Sequence, residues 1–168
     1  RISKLVPYPL HLGITEAGTF HYGRVRSAIG IGSLLYSGIG DTLRVSLSDD
    51  PTKEVSTGIE ILKSLGLSKS GAILVACPSC GRADVDIRTL ANQIDEIIKD
   101  RKSNIKVAVM GCEVNGPGEA KDADVGIAAG VGRAVIFRKG KKSRVVEESE
   151  MLSKLIEEID LAEKEMVK

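Results

Sequence analysis

The sequence predicts an α/β protein built in two blocks. Short β-prone runs at residues 10–15, 42–47, 72–76 and 105–110 alternate with stretches of helical period at 20–37, 51–65 and 86–100. Strand–helix–strand–helix order over residues 10–66 reads as parallel βαβα units. A Ser-Lys-Ser-Gly stretch at 68–71 separates them from a second alternating block, with the boundary near residues 66–71.

In the first block, residues 10–15 end in Glu16-Ala17-Gly18 and read as a short buried strand. The helix over 20–37 carries Val25, Ala28, Ile29, Leu34 and Leu35 as its apolar positions, interrupted by Gly30 and Gly32. Each interior glycine costs about 1 kcal/mol against alanine, so both are expected to serve close packing on a neighbour. The second helix has Asp50 as N-cap, Pro51 in its first turn and Gly66 just past its end. Val55, Ile59, Leu62 and Leu65 form its apolar stripe.

In the second block, residues 72–76 form a strand that delivers Cys77. Ile87, Leu90, Ala91, Ile94, Ile97 and Ile98 recur at helical spacing, and residues 105–110 form a strand that delivers Cys112. Residues 125–129 and 134–138 read as further strands, with 144–146 as a hairpin partner. A last helix starts near Ser149, with Met151, Leu152, Leu155, Ile156 and Ile159 on one face. If the two cysteine-bearing strands are parallel neighbours, their loops share the edge where open α/β sheets hold ligands.

Composition excludes several classes of function. The chain has 168 residues, a net charge of +1, no Trp, two Phe and three Tyr. It offers neither a cationic field nor aromatic platforms for nucleic acid. No apolar run approaches the ~20 residues that span a bilayer, and no signal peptide is read at the start. Three cysteines cannot all pair internally, which favours a reducing cytoplasm over a disulfide framework. The chain begins with Arg1, which suggests a fragment or processed product.

The chemistry-bearing pattern is Cys77-Pro-Ser-Cys80-Gly-Arg with Gly-Cys112-Glu-Val-Asn-Gly-Pro-Gly-Glu119. Three thiolates can hold a metal centre on three sides, and Glu119 is the available fourth donor. One reading is a 4Fe-4S cluster whose iron at the harder glutamate ligand is exchangeable. A second is a structural zinc in a non-catalytic binding module, although such sites usually draw a fourth ligand from Cys or His. A thioredoxin-like pair at Cys77 and Cys80, or an inert buried Cys112, are further alternatives. Arg82 would either offset cluster charge or sit on the surface.

Other residues carry paired readings. Glu16 is a candidate acid or a helix-start carboxylate. Arg44 suits bidentate phosphate binding or a structural ion pair. Asn115 would hydrogen-bond substrate or close an Asx turn. His11 and His21 read as strand or surface histidines. Residues 138–144 hold five positive charges in seven positions, a solvated hairpin tip or a docking point for an acidic electron carrier.

The two cysteine motifs, together with His-Leu-Gly-Ile-Thr-Glu-Ala-Gly at 11–18, resemble the 4-hydroxy-3-methylbut-2-enyl diphosphate synthase family over nearly the whole chain. Residues 27–34 and 41–51 resemble it as well. The resemblance implies reductive ring opening of 2-C-methyl-D-erythritol 2,4-cyclodiphosphate in non-mevalonate isoprenoid biosynthesis. An electron pair would come from flavodoxin or ferredoxin. It implies a 4Fe-4S cluster on Cys77, Cys80, Cys112 and Glu119, a catalytic role for Glu16 and Glu119, and substrate contacts from Arg44, Ser46 and Asn115. It also implies a homodimer in which a cluster domain closes over the partner's barrel. The implied fold is the last two βα units of a TIM barrel over residues 1–68. A three-layer-type α/β iron–sulfur domain, sulfite-reductase-like, would follow over 69–168. A whole barrel takes ~250 residues, so this polypeptide would be a C-terminal part, not active alone.

Overall fold

A two-stranded parallel sheet and a five-stranded mixed sheet organise the computed structural model, which describes residues 1–77, 85–112, 118 and 120–166. The chain divides into two compact units, Arg1–Lys69 and Ser70–Lys168.

In the first unit, β1 (His11–Gly13) pairs in parallel with β2 (Thr42–Arg44), with Leu12 opposite Leu43 and Gly13 opposite Arg44. Helices α1 (Phe20–Tyr36) and α2 (Pro51–Ser64) follow the two strands. A core of Leu12, Ile31, Val45 and Ile61 joins sheet to helices.

The helices turn different faces inward from those expected. On α1 the buried residues are Gly23, Ser27, Ile31 and Gly32, while Val25 and Ile29 are 52% and 68% exposed. Ala28 is exposed and Leu34 is 41% exposed, leaving Leu35 alone of the expected set against the core. Gly30 explains part of the rotation, because a Cβ there would lie 2.3 Å from Ile14 Cδ1. The close-packing role therefore holds at Gly30 and fails at Gly32, where a Cβ would meet nothing within 4 Å. On α2, Thr57, Gly58 and Ile61 are buried, and the expected Val55 and Ile59 are 65% and 42% exposed. Leu65 of that stripe does reach the core. Its ends form as expected: the Asp50 carboxylate accepts the Thr52 N–H at 2.8 Å, Pro51 opens the helix, and Gly66 takes a φ of 69°.

In the second unit the sheet order follows the chain: β3 (Ile73–Ala76), β4 (Lys106–Met110), β5 (Val125–Gly130), β6 (Arg133–Arg138), β7 (Lys141–Glu147). The first three strands are parallel and the last two continue as antiparallel hairpins. Alternation along β4 divides its side chains between two clusters. Val107 and Val109 join one face with α3 (Ile87–Ile98) and α4 (Met151–Met166). Ala108 and Met110 join the other with Ala120, Ala123, Ala128 and Phe137. On α3, Ile87, Leu90, Ile94 and Ile98 make the buried stripe, each contributing about 1.5–3 kcal/mol on burial. Asp86 caps that helix by accepting the Thr89 N–H at 3.3 Å.

Helix α4 buries Met151, Leu155 and Ile159 as expected, and also Glu158, which is 2% exposed. Glu158 Oε2 lies 2.6 Å from Arg144 Nη2 and Oε1 lies 3.4 Å from Arg138 Nε. Two of the five positive charges in 138–144 are therefore ion-paired against α4. Lys139, Lys141 and Lys142 remain exposed. Among the described residues no helix is long and apolar enough to cross a membrane.

Candidate metal centre

Cys77 and Cys112 arrive at one edge of the second sheet because β3 and β4 are parallel neighbours. Ala76 stands opposite Val109, so Cys77 extends β3 beside Met110, and Cys112 lies two residues past the end of β4. The Cys77 N–H donates to the Val109 carbonyl at 3.1 Å, which continues the ladder to the cysteine itself. The Gly111 N–H donates to Cys77 Sγ at 3.1 Å. That bond puts the residue next to Cys112 against the sulfur of Cys77. A peptide N–H aimed at sulfur orients that sulfur for a metal. The donor set and its hydrogen bonding therefore fit a thiolate-ligated cluster.

Among the described residues no group of three or more His, Cys, Asp or Glu side chains surrounds a metal position. Cys80, Arg82, Asn115 and Glu119 lie outside the described residues. The segment after Glu119 is held firmly. Ala120 is buried at 2% exposure on the sheet face, and the Asp124 carboxylate accepts the Lys106 N–H at 2.9 Å.

Glu16, Arg44 and Ser46 form a second group, in the first unit. Arg44 ends β2, and Ser46 lies two residues beyond it. Glu16 follows β1, exposed and at a φ of 57°, so it sits past the same C-terminal edge of the parallel pair. The Arg44 guanidinium lies across Gly13, where a Cβ would come 3.3 Å from Nη2. A side chain at residue 13 would crowd the arginine. Among the described residues no carboxylate lies within 4.0 Å of Arg44. The structural ion pair is thus not observed there. The helix-start reading of Glu16 is not supported either, because α1 starts after Thr19 and has no acidic residue in its first turn. His11 sits at the other end of β1, with Nδ1 2.8 Å from Thr42 Oγ1, and His21 stacks edge-on to Tyr22.

The sequence reading missed Gly111 as a donor to sulfur, and it missed the seat beneath Ala120. The first depends on strand register, which no motif spells out. The second has a faint signal in the small residues of 126–130, which pack on both faces of β5.

Comparison with protein families completes the assignment. The model of the GcpE protein C-terminal domain matches residues 73–161, and the model of the GcpE TIM-barrel domain matches residues 1–59. The chain belongs to the GcpE family. Both cysteine motifs fall within the C-terminal domain match. Among curated GcpE relatives, a protein of Dehalococcoides mccartyi is 57% identical over 159 residues, covering 95% of this chain and 46% of the relative. One of Caldanaerobacter subterraneus subsp. tengcongensis is 55% identical over 163 residues, covering 97% and 46%. A Clostridium acetobutylicum relative is 54% identical over 159 residues, covering 95% and 46%. All three are named 4-hydroxy-3-methylbut-2-en-1-yl diphosphate synthase (flavodoxin). The chain spans just under half the length of these relatives. The motif-based resemblance thus agrees with the whole-chain comparison.

Proposed function

We propose that the chain is the cluster-bearing C-terminal part of a 4-hydroxy-3-methylbut-2-en-1-yl diphosphate synthase. The observation that carries this is the Gly111–Cys77 hydrogen bond between adjacent parallel strand ends, inside a region matched by the GcpE C-terminal domain. Cys77, Cys80, Cys112 and Glu119 would hold a 4Fe-4S cluster. When bound, that cluster supplies electrons and one exchangeable iron position for reductive opening of 2-C-methyl-D-erythritol 2,4-cyclodiphosphate.

The remaining work falls to the chain's own side chains. The ring-opening step breaks a C–O bond and needs a proton for the leaving oxygen. Glu16, on a backbone that holds it past β1, is the residue assigned to hold that proton. Arg44, without a carboxylate partner among the described residues, offers paired N–H donors to the diphosphate, and Ser46 adds a hydroxyl. Asn115, beside Cys112 in sequence, would bind the substrate near the cluster.

The first unit would be the end of a TIM barrel, residues 1–68, and residues 69–168 the cluster domain, with a sulfite-reductase-like fold. Support for the barrel comes from what α1 and α2 leave open. Tyr22, Val25, Ile29 and Tyr36 make an exposed apolar stripe on α1. A groove of about 350 Å³ between β2 and α2 is lined by Leu43, Val45, Val55 and Ile59, together with Arg44 and Glu54. Such faces suit further βα units of a longer chain. The full enzyme would act in the cytoplasm as a homodimer, reduced by flavodoxin or ferredoxin.

The test uses full-length enzyme carrying Arg44→Ala or Cys112→Ser. Losing a charge-assisted phosphate contact should raise KM roughly tenfold or more while leaving the cluster spectrum intact. Cys112→Ser should remove the spectrum itself. Unchanged kinetics in the first variant would sink the substrate role, and an unchanged spectrum in the second would sink the centre.

A further inference from the structure

We propose that Glu54 of α2 is a positioning residue for Ser46, acting through the Leu47 peptide. The proposal rests on the reading of Ser46 as a substrate contact and names what holds that residue in place. Glu54 Oε1 accepts the Leu47 N–H at 2.7 Å in a half-buried setting. That N–H and the Ser46 carbonyl belong to one planar peptide group. Fixing the N–H therefore fixes ψ of Ser46, and with it the direction in which the serine side chain leaves the backbone. A carboxylate makes this bond stronger than a neutral acceptor would. The register of β1 with β2 ends at Gly13 and Arg44, so the Glu54 carboxylate takes over where the strand ladder stops.

The chain on either side of Ser46 is anchored, which leaves its placement to that one peptide. Val45, before it, is buried at 4% exposure in the core with Leu12, Ile31 and Ile61. Leu47, after it, packs against the same core. Its side chain enters a notch on α1 that exists because residue 23 is glycine. A Cβ there would lie 2.5 Å from Leu47 Cδ2 and 3.0 Å from the Gly18 carbonyl oxygen. The Ser48 N–H donates to that same Gly18 carbonyl at 2.9 Å, which ties the segment to the loop bearing Glu16. The Arg26 guanidinium donates to the Ala17 carbonyl at 3.2 Å and holds that loop in turn. Without the Glu54 carboxylate, the Leu47 N–H loses its acceptor in a half-buried place. The peptide then turns toward another partner and carries the Ser46 hydroxyl with it.

The experiment measures steady-state kinetics of full-length enzyme on the cyclodiphosphate with a chemical reductant, beside the cluster spectrum and the unfolding midpoint. The variants are Ser46→Ala, Glu54→Ala, Glu54→Gln and the double variant of the two alanines. Ser46→Ala should raise KM about fivefold by removing a binding contact. Glu54→Ala should raise KM by about the same factor with the cluster spectrum intact, because a misplaced binding group forfeits its contact. Glu54→Gln keeps an acceptor of the same reach and should stay within about twofold of the unsubstituted KM. The double variant should lie within about twofold of Ser46→Ala, since both substitutions remove one contact. An unchanged KM in Glu54→Ala, with Ser46→Ala raised, overturns the proposal alone. Full multiplication of the two effects in the double variant overturns it too, as does a Glu54→Gln KM as high as that of Glu54→Ala. An unchanged KM in Ser46→Ala overturns the substrate reading beneath it. Should Glu54→Ala fail to fold, Glu54→Asp keeps the charge but is one methylene too short to reach Leu47. It should raise KM likewise, and an unchanged KM there overturns the proposal.

Discussion

Gly111 ties the two cysteine-bearing strands together at the sulfur itself, through one backbone N–H. The identity of Cys77 and Cys112 as chemistry-bearing residues was legible from spacing alone. The hydrogen bond was not, because it follows from the pairing of Ala76 with Val109. Arg44 was legible as a phosphate candidate, yet only the structure reveals the room that Gly13 leaves beside its guanidinium. Helix caps were readable too, and they carry a pH dependence. The carboxyl of Asp86 is held below its ordinary value of 3.8 by the Thr89 hydroxyl and then its N–H. Asp50 is held down likewise by Thr52. A group with a depressed folded value stabilises the protein fully above its unfolded value and loses that contribution as pH falls through the folded one. Stability should therefore drop below about pH 3.8. Asp86→Asn should flatten part of that fall, as read by denaturant midpoints across acidic pH; an identical acid profile would contradict the cap's role.

Helices show where periodicity misleads. The apolar periods of α1 and α2 marked Val25, Ile29, Val55 and Ile59, and all four lie on exposed faces. Glycine decided the inward faces instead, since Gly30 admits Ile14 and Gly58 lies against Leu43. A side-chain count cannot register a contact made by an absent side chain. In α3 no glycine intervenes, and the predicted stripe and the buried stripe agree closely. Gly30→Ala should destabilise the first unit by about 1–3 kcal/mol through overpacking, measured by urea unfolding. In α4 the buried Glu158 breaks the apolar pattern because Arg138 and Arg144 converge on it. Glu158→Ala should cost about 1–3 kcal/mol, since Arg138 keeps Glu165 and Arg144 keeps Glu157 as partners. A loss under ~0.5 kcal/mol would mean the network is solvated in practice.

At the scale of the whole molecule, the strand alternation and the break between blocks were readable. The turn of the second sheet from parallel to antiparallel was readable only as a hairpin signal near its end. The same register weighs on electron delivery. Arg138 stands level with Val125 and Val107, at the edge of the sheet opposite Cys77 and Cys112. The basic hairpin tip is thus roughly 15 Å along the strands from the cysteine edge. If an acidic carrier docks at this tip in the full-length enzyme, charge reversal at Lys141 and Lys142 should slow reduction as added salt does, and unchanged rates would remove the docking reading. The second unit has its own two-faced core, so residues 70–168 expressed alone should unfold cooperatively and still take up a cluster.

The proposed function requires Cys77, Cys80, Cys112 and Glu119 to hold one iron–sulfur cluster. Iron, zinc and sulfide analysis of anaerobically purified protein tests it most directly. A 4Fe-4S centre gives about four irons and four sulfides per chain with a brown colour, abolished in Cys112→Ser. A colourless protein holding about one zinc and no sulfide would contradict it.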